Sequence, residues 1–289
     1  MKKITYLFIG IFVLLLVMVL VSLTVPPSEY SHAKFEKYKY DYQIEGPEDV
    51  KDLFDNFKFN NTDKISTSKF FPVVNKGEFY NYLYYYSKIC SASGRYCSDE
   101  KEENKTFHII NVTDDNIKYS VSPTSSGTEE TKEIVFHKSD FEGDIRDYFE
   151  GHTECQKFIC GWFLYVNENL SYGLKIKINK TDDELKNLKD EIFDEYILIV
   201  NGTENMNGRE CFKVEIYKKE LDGIRTIGSG IPFLFFNYSV TLEFKISKEI
   251  FWIDAEKRML VKMQRLENNT IIKEVNLINT INTINTNKF

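Results

Sequence analysis

The chain has 289 residues, a formal net charge of −7, 23 Phe and 18 Tyr. This aromatic content is enough to form an apolar core, which excludes a chain that is disordered throughout. The acidic balance repels phosphate backbones and therefore excludes nucleic acid as a partner.

The first predicted element is a membrane-spanning helix. The chain carries no charged residue from Ile4 to Val25, and a helix of that length rises about 33 Å, which suffices for the roughly 30 Å hydrocarbon core. Lys2 and Lys3 precede it, so the N-terminus is expected in the cytoplasm and the bulk of the chain outside the cell membrane. The membrane is therefore the first expected partner.

A cleaved signal peptide is the alternative interpretation of this segment. Its apolar region is usually shorter, and a cleavage site needs small residues. The run here ends in Thr24-Val25-Pro26-Pro27, which lacks such a site and favours an uncleaved anchor. Under both interpretations the bulk of the chain is exported.

The remaining chain divides by composition. A polar stretch with mixed Tyr, Lys and Glu predicts a stalk, and a Ser/Thr/Gly/Glu-rich segment suggests an internal boundary. The predicted parts are an anchor at 1–27, a stalk at 28–46, an extracytoplasmic domain at 47–278 with a boundary near 123–132, and a disordered tail at 279–289.

Three helices are predicted from their start signals. Pro47 is followed by acidic residues and an apolar face, which indicates a helix start. Ser139 with Glu142 and Thr181 with Glu184 form capping boxes. Apolar residues at helical spacing follow both boxes, up to Phe149 and about residue 195.

Several segments predict antiparallel strands. Short strands are expected at 107–112 and 116–121, after a Tyr-rich run at 79–90. Further on, apolar and polar residues alternate, which is typical of strands with one buried and one wet face. Two hairpins are predicted at 250–266 and 266–278. The residues expected on one buried face are Val214, Ile216, Leu242, Phe244 and Ile246.

Two short motifs lie in the C-terminal part of the chain, the segment from Gly202 to Cys211 and the tripeptide Trp252-Ile253-Asp254. They resemble the "G-x-E-x-x-x-G-x-x-C/A" strand pair and the "W-I-D" hairpin of the LolA-like superfamily of lipoprotein carriers and RseB-type sensors. The resemblance covers about residues 195–278. It implies an α+β fold, in which a curved, half-barrel-like antiparallel sheet packs on helices behind one transmembrane helix. It does not imply carrier activity.

Five cysteines follow the anchor, and in an oxidising compartment they tend to pair. Cys90 and Cys97 bracket a turn-rich loop and are expected to bridge. Two outcomes compete for the other three cysteines. If the backbone breaks between Cys155 and Cys160, these two pair and Cys211 is free or bridges two copies of the protein, an outcome favoured because the bridge closes locally. If a helix holds them apart, one of them reaches Cys211 and ties the helix to the sheet. Cys211 shares the polar face of its strand and is expected to be reachable from water unless something covers that face.

Eight Asn-x-Ser/Thr sequons are candidates for glycosylation in an exported chain. Chance predicts about three sequons in a chain of this composition. The candidate asparagines are Asn60, Asn104, Asn111, Asn169, Asn179, Asn201, Asn237 and Asn268.

No catalytic, cofactor or metal site is predicted. His152, Cys155 and Cys160 are close in sequence but lack the fourth ligand and the spacing of a zinc site. Gly228-Ser229-Gly230 is shorter than a nucleophile elbow. Asp254 and Glu256 lie in a predicted hairpin turn, where aspartate serves the backbone.

Two functions remain, and neither is enzymatic. The first is a membrane-anchored binding module that takes an apolar ligand or a lipid-linked partner. The second is a structural or interaction glycoprotein of the cell envelope that has no ligand. The apolar run Ile231–Phe236 is either a buried strand or a lip that touches lipid. A dry pocket of several hundred Å³ would favour the first function, and a fully packed sheet face the second.

Overall fold

The computed structural model describes residues 38–59, 73–87, 99–123, 132–137, 149, 158–179, 190–229, 237–267 and 269–282. In these residues the chain is mostly β, with one short α-helix, α1 at Glu48–Asn56, and a 3₁₀ helix at Gly161–Tyr165. The strands are β1 Tyr38–Glu45, β2 Glu78–Tyr86, β3 Lys101–Val112, β4 Asn116–Pro123, β5 Lys132–His137, β6 Ser171–Lys177, β7 Phe193–Met206, β8 Arg209–Ser229, β9 Asn237–Asp254, β10 Leu260–Glu267 and β11 Thr270–Asn282.

The eleven strands form one sheet, whereas the alternating sequence pattern predicted a sheet only over about residues 170–278. The strand order is β5-β4-β3-β2-β11-β10-β9-β8-β7-β6. The neighbours along β10, β11 and β2 to β5 pair antiparallel, as do β7 and β8. β1 lies off this path and pairs parallel with β9, Tyr38 opposite Tyr238.

The chain divides into two compact units. Unit 1 comprises Met1–Glu45, Lys177–Phe193 and Glu220–Lys245, and unit 2 comprises the remaining residues. The division does not fall at the expected boundary near 123–132. β4 and β5 on either side of that segment pair with each other within unit 2, so the segment joins two neighbouring strands.

Helix α1 begins where the sequence predicted a helix start. Pro47 has an extended backbone and precedes the helix, and Glu48 and Asp49 lie in the first turn, where acidic side chains favour the helix dipole. The side chains of Val50 and Phe54 are buried. The helix is therefore held on unit 2 by one apolar face.

Unit 2 has a core rich in aromatic side chains. In β2 the side chains of Tyr80, Tyr82 and Tyr84 are buried and alternate with partly buried neighbours. Phe107 of β3 packs edge-on against Tyr82 at 5.5 Å between ring centroids. The Tyr-rich run thus supplies the apolar face of a strand.

Unit 1 has a smaller core of its own. Val240, Leu242 and Phe244 of β9 are buried together with Ile192. Tyr42 of β1 stacks on Phe244 with 6.4 Å between ring centroids. This contact lies where the sequence predicted a polar stalk at 28–46, so the stalk interpretation is wrong for Tyr38–Glu45.

Two further expectations differ from the structure. The tail was expected from residue 279, but β11 runs to Asn282 because these residues pair with Glu78–Asn81 of β2. The predicted helix near 182–195 falls largely outside the described residues, yet Phe193 already begins β7. The predicted helix from Ser139 is described only at Phe149, which is helical and buried.

The five residues expected on one buried face are all buried, but they do not form one core. Val214 and Ile216 belong to the aromatic core of unit 2. Leu242 and Phe244 belong to the core of unit 1. The alternating pattern predicted burial correctly and could not distinguish two cores along the long strands.

Candidate functional site

The two motif segments, Gly202 to Cys211 and Trp252 to Asp254, meet in unit 2. The indole N–H of Trp252 donates a hydrogen bond to Oε2 of Glu204 at 2.8 Å, and Nζ of Lys213 lies 2.8 Å from Oε1 of the same carboxylate. Hydrogen bonds from Lys213 and then Trp252 lower the pKa of Glu204. Cys211 and Val261 pack with Trp252. We call this contact region the hairpin junction.

An ion pair is the second link across the hairpin junction. Nη1 of Arg209 lies 2.8 Å from Oδ2 of Asp254. Nη2 of the same guanidinium donates to Oγ1 of Thr280 at 3.0 Å. Arg209 therefore ties the start of β8 to the end of β9 and to β11.

The turns at the hairpin junction follow from their sequences. Asn207 and Gly208 both have positive φ, as a two-residue hairpin turn of type I′ requires. Oδ1 of Asp254 accepts the backbone N–H groups of Glu256 at 3.0 Å and Lys257 at 2.7 Å. Asp254 thus serves the backbone of its turn, as the sequence predicted.

A buried charged network lies on β2, which β11 separates from β10 in the sheet. Nζ of Lys257 donates to Oε1 of Glu78 at 2.9 Å and to the hydroxyl of Tyr80 at 3.3 Å. Tyr80 also donates to Glu78, and the amide groups of Asn75 donate to the same carboxylate. Burial raises the pKa of Glu78, but the hydrogen bonds from Tyr80, Asn75 and Lys257 outweigh it and lower this pKa to about 2. Burial and Glu78 raise the pKa of Tyr80.

A cleft of about 600 Å³ opens beside the hairpin junction. Glu210 and Glu256 on its wall are exposed, whereas Asp254 is buried. Its lining is mainly polar and consists of Asn207, Gly208, Arg209, Glu210, Asp254, Ala255 and Glu256. Such a lining suits a polar group rather than an acyl chain.

The sheet face that carries the aromatic core is covered by the protein's own chain. The ring of Phe158 lies 4.8 Å from that of Phe107 and 5.1 Å from that of Tyr119, between centroids. Trp162 packs edge-on against Phe251 at 5.3 Å. We call 158–166 the covering segment.

Hydrogen bonds to backbone carbonyl groups fix the covering segment at both ends. The backbone N–H of Leu260 donates to the carbonyl of Phe158 at 2.8 Å. At the other end, Nη1 of Arg258 donates to the carbonyl of Val166 at 2.7 Å. Sequence reasoning missed this segment because its apolar residues follow neither strand nor helix spacing.

The cysteines divide between the described and the undescribed chain. Cys211 is a free thiol and is fully buried, so the expectation that water reaches it is wrong: Trp252 and Val261 cover it. Burial, followed by the charge of Asp254, raises the pKa of Cys211 to about 12. Cys160 is disulfide-bonded. Because Cys211 is free, the expected alternative in which it bonds Cys155 or Cys160 is wrong. Cys90, Cys97 and Cys155 lie outside the described residues, so the Cys90–Cys97 and Cys155–Cys160 bridges stay predictions.

The residues considered above as possible metal, nucleophile or lipid-contact sites lie as follows. Gly228 and Ser229 belong to the end of β8. His152 and the apolar run Ile231–Phe236 lie outside the described residues, as does the predicted anchor. Within the described ranges no group of three or more His, Cys, Asp or Glu is placed to hold a metal ion. No helix among the described residues has the length and apolarity to cross a membrane.

The sequons lie on several different elements. Five of the candidate asparagines have described side chains, and each of these side chains is exposed: Asn104, Asn111, Asn169, Asn179 and Asn201. Asn237 begins β9. Asn60 and Asn268 lie outside the described residues.

Comparison with known proteins finds distant structural similarity alone. No protein-family model matches the chain, and no curated protein matches it. A Bacteroides fragilis protein with a YmcC-like fold is similar at 12% identity and a TM-score of 0.33, over 74% of this chain and 100% of that chain. MucB is similar at 9% identity and a TM-score of 0.31, over 72% of this chain.

This chain spans about half of MucB, 54% of its length. A DUF1329 family protein from Desulfovibrio piger is similar at 7% identity and a TM-score of 0.21, over 74% of this chain and 88% of that chain. Similarities this distant do not define a family for the chain, so its function is argued from its own residues.

Proposed function

We propose that this chain is a membrane-anchored, extracytoplasmic interaction protein of the cell envelope. In this proposal it contacts its partner with polar surface at the cleft beside the hairpin junction. It carries no apolar ligand on the sheet face of unit 2. The covering segment on that face is the observation that carries the proposal.

Displacing the covering segment would be costly. Phe158, Trp162 and Phe163 are each at most 3% exposed. Full burial of a large apolar side chain stabilises by about 1.5–3 kcal/mol, so exposing three of them would cost roughly 5–9 kcal/mol. An apolar ligand on this face would have to offset that cost before it bound.

The cleft supplies the complementary argument. Its exposed carboxylates are those of Glu210, at the start of β8, and Glu256, in the turn after β9. The backbone N–H of Ala255 donates to the carbonyl of Glu210 at 2.9 Å, which joins this turn directly to β8. A rigid polar surface of this kind needs little ordering when a partner binds.

Lipid content tests the first half of the proposal. The full-length chain, purified from membranes in detergent, is examined by native mass spectrometry for bound lipid. We expect none in stoichiometric amount. Trp162→Ala is the matched positive control, because the cavity it leaves is apolar and should take up a small apolar probe such as benzene. Stoichiometric lipid on the unchanged chain would overturn the proposal and favour the apolar-ligand function.

Site-specific cross-linking tests the second half. A photoreactive phenylalanine analogue replaces Glu256 at the cleft, and in a matched control it replaces Glu133, which is exposed on β5 and is not among the cleft-lining residues. In intact cells we expect one discrete cross-linked species from position 256 and none from position 133. The same pattern from both positions, or none from either, would contradict a contact at the cleft.

A further inference from the structure

We propose that the chain is N-glycosylated in its native host at the five sequons whose side chains the structure describes. The modified asparagines are Asn104, Asn111, Asn169, Asn179 and Asn201. Each is exposed, which is the condition for carrying a bulky hydrophilic glycan in the folded protein. The proposal rests on the export of the chain, which is part of the proposed function, and does not depend on a contact at the cleft.

The absence of side-chain hydrogen bonds distinguishes these five asparagines from most of the other asparagines that the structure describes. None of the five makes a side-chain hydrogen bond within the part of the chain that the structure describes. Most other asparagines with described side chains do. The side chains that hydrogen-bond are those of Asn56, Asn75, Asn81, Asn167, Asn205 and Asn276.

The contrast has a physical meaning. A glycan takes the place of one hydrogen of Nδ2, so a side chain that holds its neighbour through this nitrogen loses a donor. Nδ2 of Asn75, for example, donates to Oε1 of Glu78 at 3.0 Å. Substitution at the five sequons breaks no such bond, so the glycans cost the fold little.

The backbone also presents two of the sites. The β3–β4 pairing is irregular between Ile109 and Asn111, and the β7–β8 pairing is irregular between Val200 and Thr203. Gly202 has a positive φ within the second irregularity. Bulges of this kind locally disrupt the ladder and redirect side chains, here at Asn111 and Asn201.

The reaction needs a donor that the proposal names by class, a lipid phosphate- or pyrophosphate-linked oligosaccharide. The side-chain Nδ2 forms a bond to the anomeric carbon of the first sugar. The bond from that carbon to the phosphate oxygen breaks, and the lipid-linked phosphate leaves with the electron pair. The amide nitrogen loses one proton, and no oxidant or reductant is required.

None of the seven residues that line the cleft is a sequon asparagine. Asn207 of the cleft is followed by Gly208 and Arg209, which lack the required hydroxyl. The proposed modification therefore adds no glycan to the cleft lining itself.

Peptide mapping of the full-length chain, purified from membranes of the organism that makes it, tests the proposal. Mass spectra are compared before and after chemical deglycosylation. We expect a glycan mass on each of the five asparagine peptides. An unmodified peptide at one position removes that site, and unmodified peptides at all five overturn the proposal.

Variants at one sequon separate glycosylation from other mass changes. Asn201→Gln and Thr203→Ala should each remove one glycan mass from the intact protein, whereas Thr203→Ser should retain it. Asn56→Gln, an exposed asparagine outside any sequon, is the matched control and should change no glycan mass. Equal glycan mass in Thr203→Ala and the unchanged chain would show that Asn201 is not the acceptor.

Discussion

The indole N–H of Trp252 donates a hydrogen bond to Oε2 of Glu204 at 2.8 Å. The two residues are 48 positions apart in sequence and belong to two different hairpins. Lys213 and Lys262 lie over the indole ring, with Nζ at 5.9 and 5.4 Å from its centroid. Trp252 is nearly buried beneath these cations. The motif residues that resemble the LolA-like superfamily therefore hold two hairpins together, which is a structural role.

A double-mutant cycle on Trp252→Phe and Glu204→Ala should give a coupling energy of about 0.5–1.5 kcal/mol. The bond is to a charged acceptor, but Glu204 is partly exposed, so solvent screening keeps the value modest. Denaturant unfolding of the purified full-length chain measures it. The cycle with Glu210→Ala, an exposed residue of the same hairpin, is the control and should give a coupling near zero. Equal couplings in both cycles would contradict a direct bond.

Asp254→Asn should destabilise the protein by about 2–4 kcal/mol. Asp254 is buried and receives the Arg209 guanidinium and two backbone N–H groups, and the neutral amide leaves Arg209 without its counter-charge. The midpoint of thermal unfolding measures the change. Glu256→Gln, exposed two residues later, should change the free energy of unfolding by less than about 0.5 kcal/mol. Similar effects from both variants would argue against a special role for Asp254.

The parts of the fold that were predictable are those with local signals. Val240 to Ile246 alternate cleanly, and Asn207-Gly208 and Asp254 have the residue types that their turns demand. β1 was missed because its Tyr, Lys and Glu residues lack a clean alternation, and only the pairing with β9 makes it a strand.

The candidate site was less predictable because its contacts are distant in sequence. Lys257 lies 179 positions from Glu78, and no spacing rule connects them. Cys211 follows the polar side of its strand, but Val261 of β10 and Trp252 of β9 cover that side as well. A period of two shows which residues share a face and does not show whether the second face is covered.

Glu78 should make stability depend on pH in acid. Its pKa is about 2 in the folded protein against an ordinary value of 4.5. Because its pKa is lower in the folded protein, ionised Glu78 stabilises the fold at pH values above its ordinary pKa of 4.5. This stabilisation is lost as the pH falls from about 4.5 towards 2. The difference in free energy of unfolding between the unchanged chain and Glu78→Gln should therefore be largest near neutral pH and shrink over this range.

Urea titrations at pH 7, 4.5 and 3 measure this difference. Glu100→Gln, at an exposed position just before β3, is the control and should differ little from the unchanged chain at each pH. A difference for Glu78→Gln that stays constant down to pH 3 would contradict the lowered pKa.

Gly173→Ala should destabilise unit 2 by about 1–3 kcal/mol. A Cβ at this position would approach Cε1 of Phe57 to 2.3 Å and Cδ1 of Phe59 to 3.0 Å, so both rings must move. Gly223→Ala is a matched control, because its Cβ would meet only the flexible carboxylate of Glu243 at 3.4 Å. Denaturant unfolding compares the two variants. A larger loss of stability in Gly223→Ala than in Gly173→Ala would contradict the packing of Phe57 and Phe59, which follow α1, against Gly173 of β6.

Cys211 should resist alkylation in the folded protein and react once the protein is unfolded. Its thiol is fully buried, and its pKa is raised to about 12, so very little thiolate forms at pH 8 and reagent has no access to it. Iodoacetamide labelling at pH 8, followed by peptide mapping without reduction, should leave Cys211 unlabelled in buffer and fully labelled in concentrated urea. Val261→Ala removes part of the side-chain cover over the thiol and should speed labelling in buffer, whereas Val135→Ala, at an exposed position on β5, should not. Rapid labelling of the unchanged chain in buffer would mean that the polar face of β8 is open to water after all, as the alternation of the sequence alone predicts.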